Sequence, residues 1–463
     1  MKKTASKTIF RCRDCGHSSP KWFGKCPECG AWNSGQEEQV SSGAKSYLES
    51  SLGGSAAQVT QLDQISIEKV QRYRTGIEEF DRITGGGIMP SSILLLGGAP
   101  GIGKSTLMLQ VAGLLPDSNA GGGRPLKLLY VSGEESLEQI KTRAERLKIK
   151  TSGTLYFLSE VNFENIIAAI KKVEPDVLII DSIQTVYMPE VAGIPGSVGQ
   201  IRECASGFMR LAKNNKITVF LLGHVTKGGD IAGPMILEHI VDTVLYFDTE
   251  ESHTYRILRA YKNRFGPTSE LGVFEMKSEG LIEVPNPSEF FLGERIKDTP
   301  GTIVVSTIEG TRPLLLEVQA LTAKTNFGMP RRMVTGLDYN KTVLLVAILE
   351  KKLGLPLDSH DVFVNVAGGL KITEPGIDLG VCAAIYSAFT ARAFPYDTAF
   401  IGEVGLTGEV RAVGYIQERV KEAEKLGFAK IYIPKSNLKS LEYKGKSTIV
   451  PAGNLIDVVG TLT

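Results

Sequence analysis

Hydrophobic residues follow two alternating rhythms through the middle of this chain. Short apolar runs, ILLLGG (93–98), KLLYVSG (127–133), VLIID (177–181) and TVFLLGHV (218–225), are separated by stretches with the spacing of amphipathic helices. Buried parallel strands read as near-continuous apolar runs, so the alternation predicts a parallel α/β sheet from roughly Ile67 to Val284. From Gly35 to about Gln61 the chain is rich in Ser, Gly, Gln and Glu, with almost no periodic apolar pattern, and reads as a linker. A Pro-rich break, EVPNPSEFFLGERIKDTPG, precedes a last region with more strand and helix signals. The expected organisation is therefore 1–34, a linker over 35–65, a sheet domain over 66–285 and a final domain over 298–463.

A length of 463 residues suits two or three domains, and a net charge of +1 means that any contact with nucleic acid must come from local patches. No run approaches 18 apolar residues and the Met1–Arg11 start lacks the apolar stretch of a signal peptide, so no membrane span is expected. Four of the six cysteines fall in the first 30 residues at metal-ligand spacing, which favours a reducing, cytoplasmic setting.

Those four are Cys12 and Cys15 (CRDCG) and Cys26 and Cys29 (CPECG). Two CxxC turns, each followed by glycine, can bring four thiolates around Zn²⁺, and so short a unit would draw its stability from the metal. The pattern predicts a zinc ribbon. Both tryptophans of the chain, Trp22 and Trp32, fall inside it and are expected to wall the small fold. Its partner, DNA or protein, is not readable.

The most specific motif is Gly98-Ala99-Pro100-Gly101-Ile102-Gly103-Lys104-Ser105-Thr106, between a strand and a helical run. In that context it predicts a phosphate loop: backbone N–H groups wrap the phosphates of ATP, Lys104 reaches the β- and γ-phosphates, and Ser105 ligates Mg²⁺. Asp181 ends the VLIID strand, where a carboxylate can orient Mg²⁺ through water. Glu134 and Glu135 follow an earlier strand, and Glu134 is preferred over Glu135 as the base that activates the attacking water. The order phosphate loop, strand plus acid, strand plus Asp is RecA-like. His224, at the tip of TVFLLGHV and before a Gly-rich loop, is a candidate γ-phosphate sensor.

Together these residues resemble the bacterial RadA (Sms) DNA-repair family over essentially the whole chain. The match includes TGGGIMPSSILLLGGAPGIGKST, YVSGEES, GHVTK and the signature YKNRFG. The resemblance implies a RecA-like ATPase core and a homo-hexameric ring. It would hydrolyse ATP while moving on single-stranded DNA and promote branch migration of recombination intermediates, with recombinase or replication proteins as possible partners of the ribbon. Loops 189–203 and 226–238, with Arg202 and Lys227, would face the DNA. In such a ring the nucleotide lies between subunits. Lys262 and Arg264, at i and i+2 and so on one face of a strand, would then serve a neighbour's ATP.

The C-terminal region resembles the Lon proteolytic domain, an α+β fold, through EPGIDLGVCAAIYSA (374–388) and the segment 401–428. Asp378 stands at the position of Lon's serine and Gln417 at that of its lysine, so the dyad is lacking and no peptidase activity is expected. A shifted dyad of Ser387 and Lys421 is a weaker alternative. Arg331 and Arg332, in a basic segment with Phe327 and with Lys341 beyond, are further candidates for DNA contact. Two readings from other classes remain: a regulatory RecA-like ATPase or kinase of the circadian-clock type, and an ATP-dependent protease.

Overall fold

The computed structural model describes residues 7–12, 18–28, 30–40, 71–117, 124–149, 153–224, 237–247, 255–268, 270–293, 295–325 and 328–462. Cys15, Cys29, Lys227 and Phe327, singled out above, lie outside the described residues. Described residues up to Glu283 belong to one compact unit and those from Val284 onward to another.

Near the N-terminus, β1 (Lys7–Cys12) pairs antiparallel with β2 (Ser18–Ser19) and with β3 (Gly35–Val40). The expected linker therefore starts too early at Gly35. GQEEQV carries no apolar alternation, so only the backbone ladder to β1 marks it as a strand.

The larger sheet has nine strands: β4 (Ile93–Gly98), β5 (Leu128–Ser132), β6 (Leu155–Ser159), β7 (Val177–Asp181), β8 (Thr218–His224), β9 (Thr243–Phe247), β10 (Tyr255–Asn263), β11 (Leu271–Lys277) and β12 (Gly280–Glu283). Their spatial order is β12-β11-β10-β9-β4-β8-β7-β5-β6. From β9 to β6 every pair is parallel, and β10 to β12 form an antiparallel meander along the other edge. The sheet is covered on both faces. Leu94 and Leu96 join one apolar cluster, Ile93 and Leu95 the other, as strict side alternation requires. The helices are α1 (Glu78–Ile83), α2 (Lys104–Leu114), α3 (Leu137–Arg146), α4 (Phe163–Val173) and α5 (Val198–Asn215). None of the described helices is long and apolar enough to cross a membrane.

The second unit is built on a seven-stranded sheet. Its strands are β13 (Thr302–Glu309), β14 (Arg312–Lys324), β15 (Arg332–Thr335), β16 (His360–Val366), β17 (Thr398–Phe400), β20 (Lys430–Pro434) and β21 (Thr448–Ala452), in the order β15-β16-β14-β13-β17-β20-β21. A small ribbon, β18 (Glu403–Val404) with β19 (Val410–Arg411), stands apart from it. Its helices are α6 (Pro287–Leu292), α7 (Tyr339–Leu353), α8 (Asp378–Thr390), α9 (Ile416–Lys425) and α10 (Leu455–Val459). Helix α6 lies inside the expected Pro-rich break and corrects the boundary of 298. Its Ser288 hydroxyl accepts from Leu315 N (3.1 Å), and Phe291 fills the space over Gly368, so this segment is part of the second core.

Candidate functional site

Strand β4 runs into Gly98 and helix α2 starts at Lys104, leaving Gly98–Gly103 to make the loop between them. Gly101 (φ 76°) and Gly103 (φ 119°) adopt left-handed conformations that side chains disfavour, so the loop needs glycine there. Its amides thereby precede the N-terminus of an 11-residue helix, the geometry that favours an anion. Lys104 is folded back over its own loop. Its Nζ donates to Gly98 O (2.8 Å) and Ala99 O (3.0 Å) and lies 3.1 Å from His224 Nδ1. Burial lowers its pKa to about 8, with Asp181 and Glu134 opposing the shift. Ile102 O, at the loop's apex, accepts from Arg256 Nε (3.0 Å) of β10.

The adjacent strand ends supply the acids. Glu134 Oε1 accepts from the Ser182 hydroxyl (2.6 Å) and contacts His224 Nε2 at 3.1 Å. The Lys104 ammonium can only donate, so His224 accepts at Nδ1 and donates from Nε2 to the carboxylate. Burial alone would raise the Glu134 pKa, but the Ser182 and His224 hydrogen bonds and the Lys104 charge outweigh it and hold the carboxyl below its ordinary range. Glu135 is turned away and ion-pairs with Arg143 of α3. Asp181 is buried, and its Oδ2 accepts from the Tyr130 hydroxyl (2.6 Å). Burial and the Asp181 charge push the Tyr130 phenol well up, so it remains a donor. A hydroxyl at Ser105, a carboxylate at Asp181 and a loop rich in backbone amides are oxygen and N–H groups that fit Mg²⁺ and a nucleotide triphosphate. Sequence reasoning missed Tyr130 and Ser182: Tyr130 reads as one more apolar position of β5, and the signal for Ser182 was its place directly after Asp181 at the end of β7.

The signature segment divides into two parts. Asn263 and Phe265-Gly266 are structural: Asn263 Nδ2 donates to Ile83 O (3.3 Å), Phe265 O accepts from Arg72 Nη2 (2.5 Å), and Gly266 packs on Gly85 so closely that a Cβ would lie 2.9 Å from the Gly85 Cα. The cations reach elsewhere. Lys262 Nζ donates to Glu238 O (2.5 Å) and Val241 O (2.9 Å), and Arg264 Nη1 pairs with Asp242 Oδ1 (3.2 Å). The one-face argument does not carry over as stated, because β10 bulges between Ala260 and Lys262 and ends at Asn263, before Arg264. Both cations nevertheless reach one segment, 238–242. That segment lies at the opposite end of β10 from Arg256, six residues or about 20 Å from the chain's own phosphate loop.

The AAA domain family matches residues 60–230, the rubredoxin metal binding domain residues 10–37, and the Lon protease (S16) C-terminal proteolytic domain residues 348–457. A protein of Halalkalibacterium halodurans named DNA repair protein RadA is 50% identical over 455 residues, covering 96% of this chain and 98% of that one. The chain belongs to the RadA family of DNA repair proteins. A RadA of Bacillus subtilis is 49% identical over 463 residues, 98% of each chain. A solved KaiC-like protein from Pyrococcus horikoshii is 22% identical, covering 47% of this chain and all of that chain, with a TM-score of 0.39. The RadA assignment and the AAA match make the chain an ATPase with a zinc ribbon, a RecA-like core and a Lon-type C-terminal domain.

In the ribbon, Cys12 and Cys26 are both buried, and Cys12 Sγ lies 3.1 Å from Ser34 Oγ. A buried sulfur at the end of β1 and another just before the turn at 27–28 suit a thiolate metal site such as zinc. The tryptophans do not wall this fold: Trp22 is 61% and Trp32 73% exposed, and the Lys25 ammonium sits over the Trp32 ring.

Among the DNA candidates, Arg202 is exposed on the first turns of α5. The loop before it is folded around Gln200, whose buried amide donates to Met188 O (3.1 Å) and Val191 O (2.6 Å) and accepts from Met188 N (2.9 Å). Arg331 is exposed. Arg332 is half-buried and donates to His360 O (2.5 Å) and Leu357 O (2.8 Å), with which a phosphate would have to compete.

In the Lon-type domain Asp378 is the first residue of α8 and is buried. Its carboxylate pairs with Lys341 Nζ (2.9 Å) from α7 and accepts from Val404 N (3.3 Å). Burial raises its pKa to about 6, against the pull of Lys341. Gln417 exchanges two hydrogen bonds with the Glu442 backbone (2.8 and 3.0 Å). Ser387 is spent on Arg392 O (2.5 Å) and Gly301 N (2.9 Å), while Lys421 is exposed.

Proposed function

We propose that the chain works as a subunit of a hexameric ring that hydrolyses ATP between subunits, moves on single-stranded DNA and promotes branch migration of recombination intermediates. The observation that carries this reading is the placement of Lys262 and Arg264. They lie about 20 Å along β10 from their own phosphate loop, so a role at ATP has to be played at a neighbour's. RadA relatives at about half identity support the DNA-repair setting.

Within one subunit, Lys104 leaves the Gly98 and Ala99 carbonyls to bind the β- and γ-phosphates, and the loop amides hold them in place. Ser105 and Asp181 would hold Mg²⁺, which supplies positive charge at the phosphates when bound. Glu134 takes a proton from the attacking water as its oxygen bonds to the γ-phosphorus; the bond to the bridging oxygen breaks and ADP departs with the electron pair. Two features support Glu134 over Glu135: its Ser182 and His224 contacts, and the Arg143 pair that draws Glu135 away. His224 links Glu134 to Lys104 and so is set to register the arrival of a γ-phosphate. Zn²⁺ would be held by Cys12, Cys15, Cys26 and Cys29. Arg202, Lys227 and Arg331 would contact DNA phosphates, with Arg332 bracing the same strand. With an acid at 378 and an amide at 417, the Lon-type domain organises the ring without cleaving peptides.

The test mixes subunits. Lys104→Ala subunits, which keep their cations, should restore hydrolysis to Arg264→Ala subunits in confirmed mixed rings, and single-stranded DNA should raise the wild-type rate. No restoration in such rings removes the trans assignment; intact ATP turnover with no DNA binding removes the motor.

A further inference from the structure

Tyr130 is 2% exposed and packs in the apolar cluster that includes Leu94, Leu96 and Leu128. Its ring lies 5.7 Å from that of Phe157. Nothing in that setting calls for a hydroxyl: phenylalanine would fill the same volume, and a buried hydroxyl is costly unless it is bonded. Among the described residues the hydroxyl has one partner, Asp181 Oδ2 at 2.6 Å. The register explains the reach. Tyr130 lies opposite Ile179 and Ser132 opposite Asp181, so the phenol projects from one strand to the end of the next. A terminal carboxylate otherwise turns through a broad, two-fold torsional profile. Tying Oδ2 to a donor stops that rotation and commits the other oxygen, Oδ1, which has no side-chain partner among the described residues.

We propose that Tyr130 is a positioning residue that fixes the Asp181 carboxylate for the magnesium–nucleotide complex. The proposal rests on the reading of Asp181 given above. Groups that orient metal-binding side chains typically matter by about 10–100-fold in metal affinity or activity. Tyr130 acts through Asp181, so its loss should weaken the response to Mg²⁺ and leave the chemistry nearly intact once Mg²⁺ saturates.

The first readout needs no turnover: the Mg²⁺ concentration that gives half of the thermal stabilisation conferred by a non-hydrolysable ATP analogue. Tyr130→Phe should raise it about tenfold, with the melting temperature of the nucleotide-free chain little changed. ATPase rate should follow the same shift and return to within about twofold of wild type at saturating Mg²⁺. In an Asp181→Asn background, Tyr130→Phe should add no further shift. An unchanged Mg²⁺ midpoint in Tyr130→Phe, with Asp181→Asn strongly shifted, overturns the role of Tyr130 and leaves that of Asp181 standing. If Asp181→Asn itself leaves the midpoint unmoved, the reading of Asp181 falls and this proposal falls with it.

Discussion

The ATPase and Lon-type domains each bring a lysine from the first turn of a helix close to acidic side chains, and the two lysines are held in opposite ways. Lys104 opens α2 and is held by backbone carbonyls and a histidine, partners that can be surrendered to phosphate oxygens. Glu134 and Asp181 are each anchored by a neutral hydroxyl, which orients a carboxylate without neutralising it. In the Lon-type domain Lys341 is paired directly with Asp378, a carboxylate that is 2% exposed. That ion pair ties two helices together, with both charges already engaged by each other. Two constellations can thus share residue types and differ in what each charge is already holding.

Exchanging lysine for alanine in the two places should break this symmetry most sharply. Lys104→Ala is expected to lower ATPase rate by ~10²–10³-fold, about 2.7–4 kcal/mol by analogy with the loss of one oriented donor at a transition state, with little change in melting temperature. Lys341→Ala should leave the rate alone and destabilise the second unit by about 1–3 kcal/mol. It strands a buried carboxylate, but Lys341 is itself partly exposed, which discounts the pair. Thermal melting and steady-state ATPase assays on both variants check this directly. Of comparable size, Glu134→Gln should cost roughly 10²–10⁴-fold in rate as the loss of a general base, while Glu135→Gln should mainly loosen the start of α3. A larger loss from Glu135→Gln than from Glu134→Gln would reverse the assignment of the base.

The smallest effect is a pH dependence. Asp378 has a folded pKa of about 6 against an ordinary 3.8, so between those values the folded state binds the extra proton. Stability of the second unit should therefore fall as pH rises from about 4 to about 6 and level off above, by on the order of 1–3 kcal/mol. Asp378→Asn should flatten that slope in melting curves taken across the window. A slope that survives the substitution would place the titrating group elsewhere.

What could be read from the sequence was local. ILLLGG and VLIID became strands at the residues expected, and the phosphate loop lies between strand and helix because its motif encodes both flanks. Contacts between distant segments could not be read. The Lys341–Asp378 pair joins two helices 37 positions apart, and Arg72 bonds to Phe265 across 193. Neither leaves a periodic trace. GQEEQV hid a strand because its pairing is made by backbone, and the Pro-rich run hid α6 because proline is at home in a first helical turn. The bulge at Tyr261 defeated a face assignment that assumed an unbroken strand.

Strand β10 touches the phosphate loop of its own subunit through Arg256 and carries the signature cations at its other end. A paired strand barely stretches along its length, so it behaves as a stiff rod. In a ring of the kind proposed, a nudge at one subunit's loop would emerge as a displacement of the pair aimed at the next. Each subunit would then be the relay between two ATP molecules, coupling each site to its neighbours on either side of the circle.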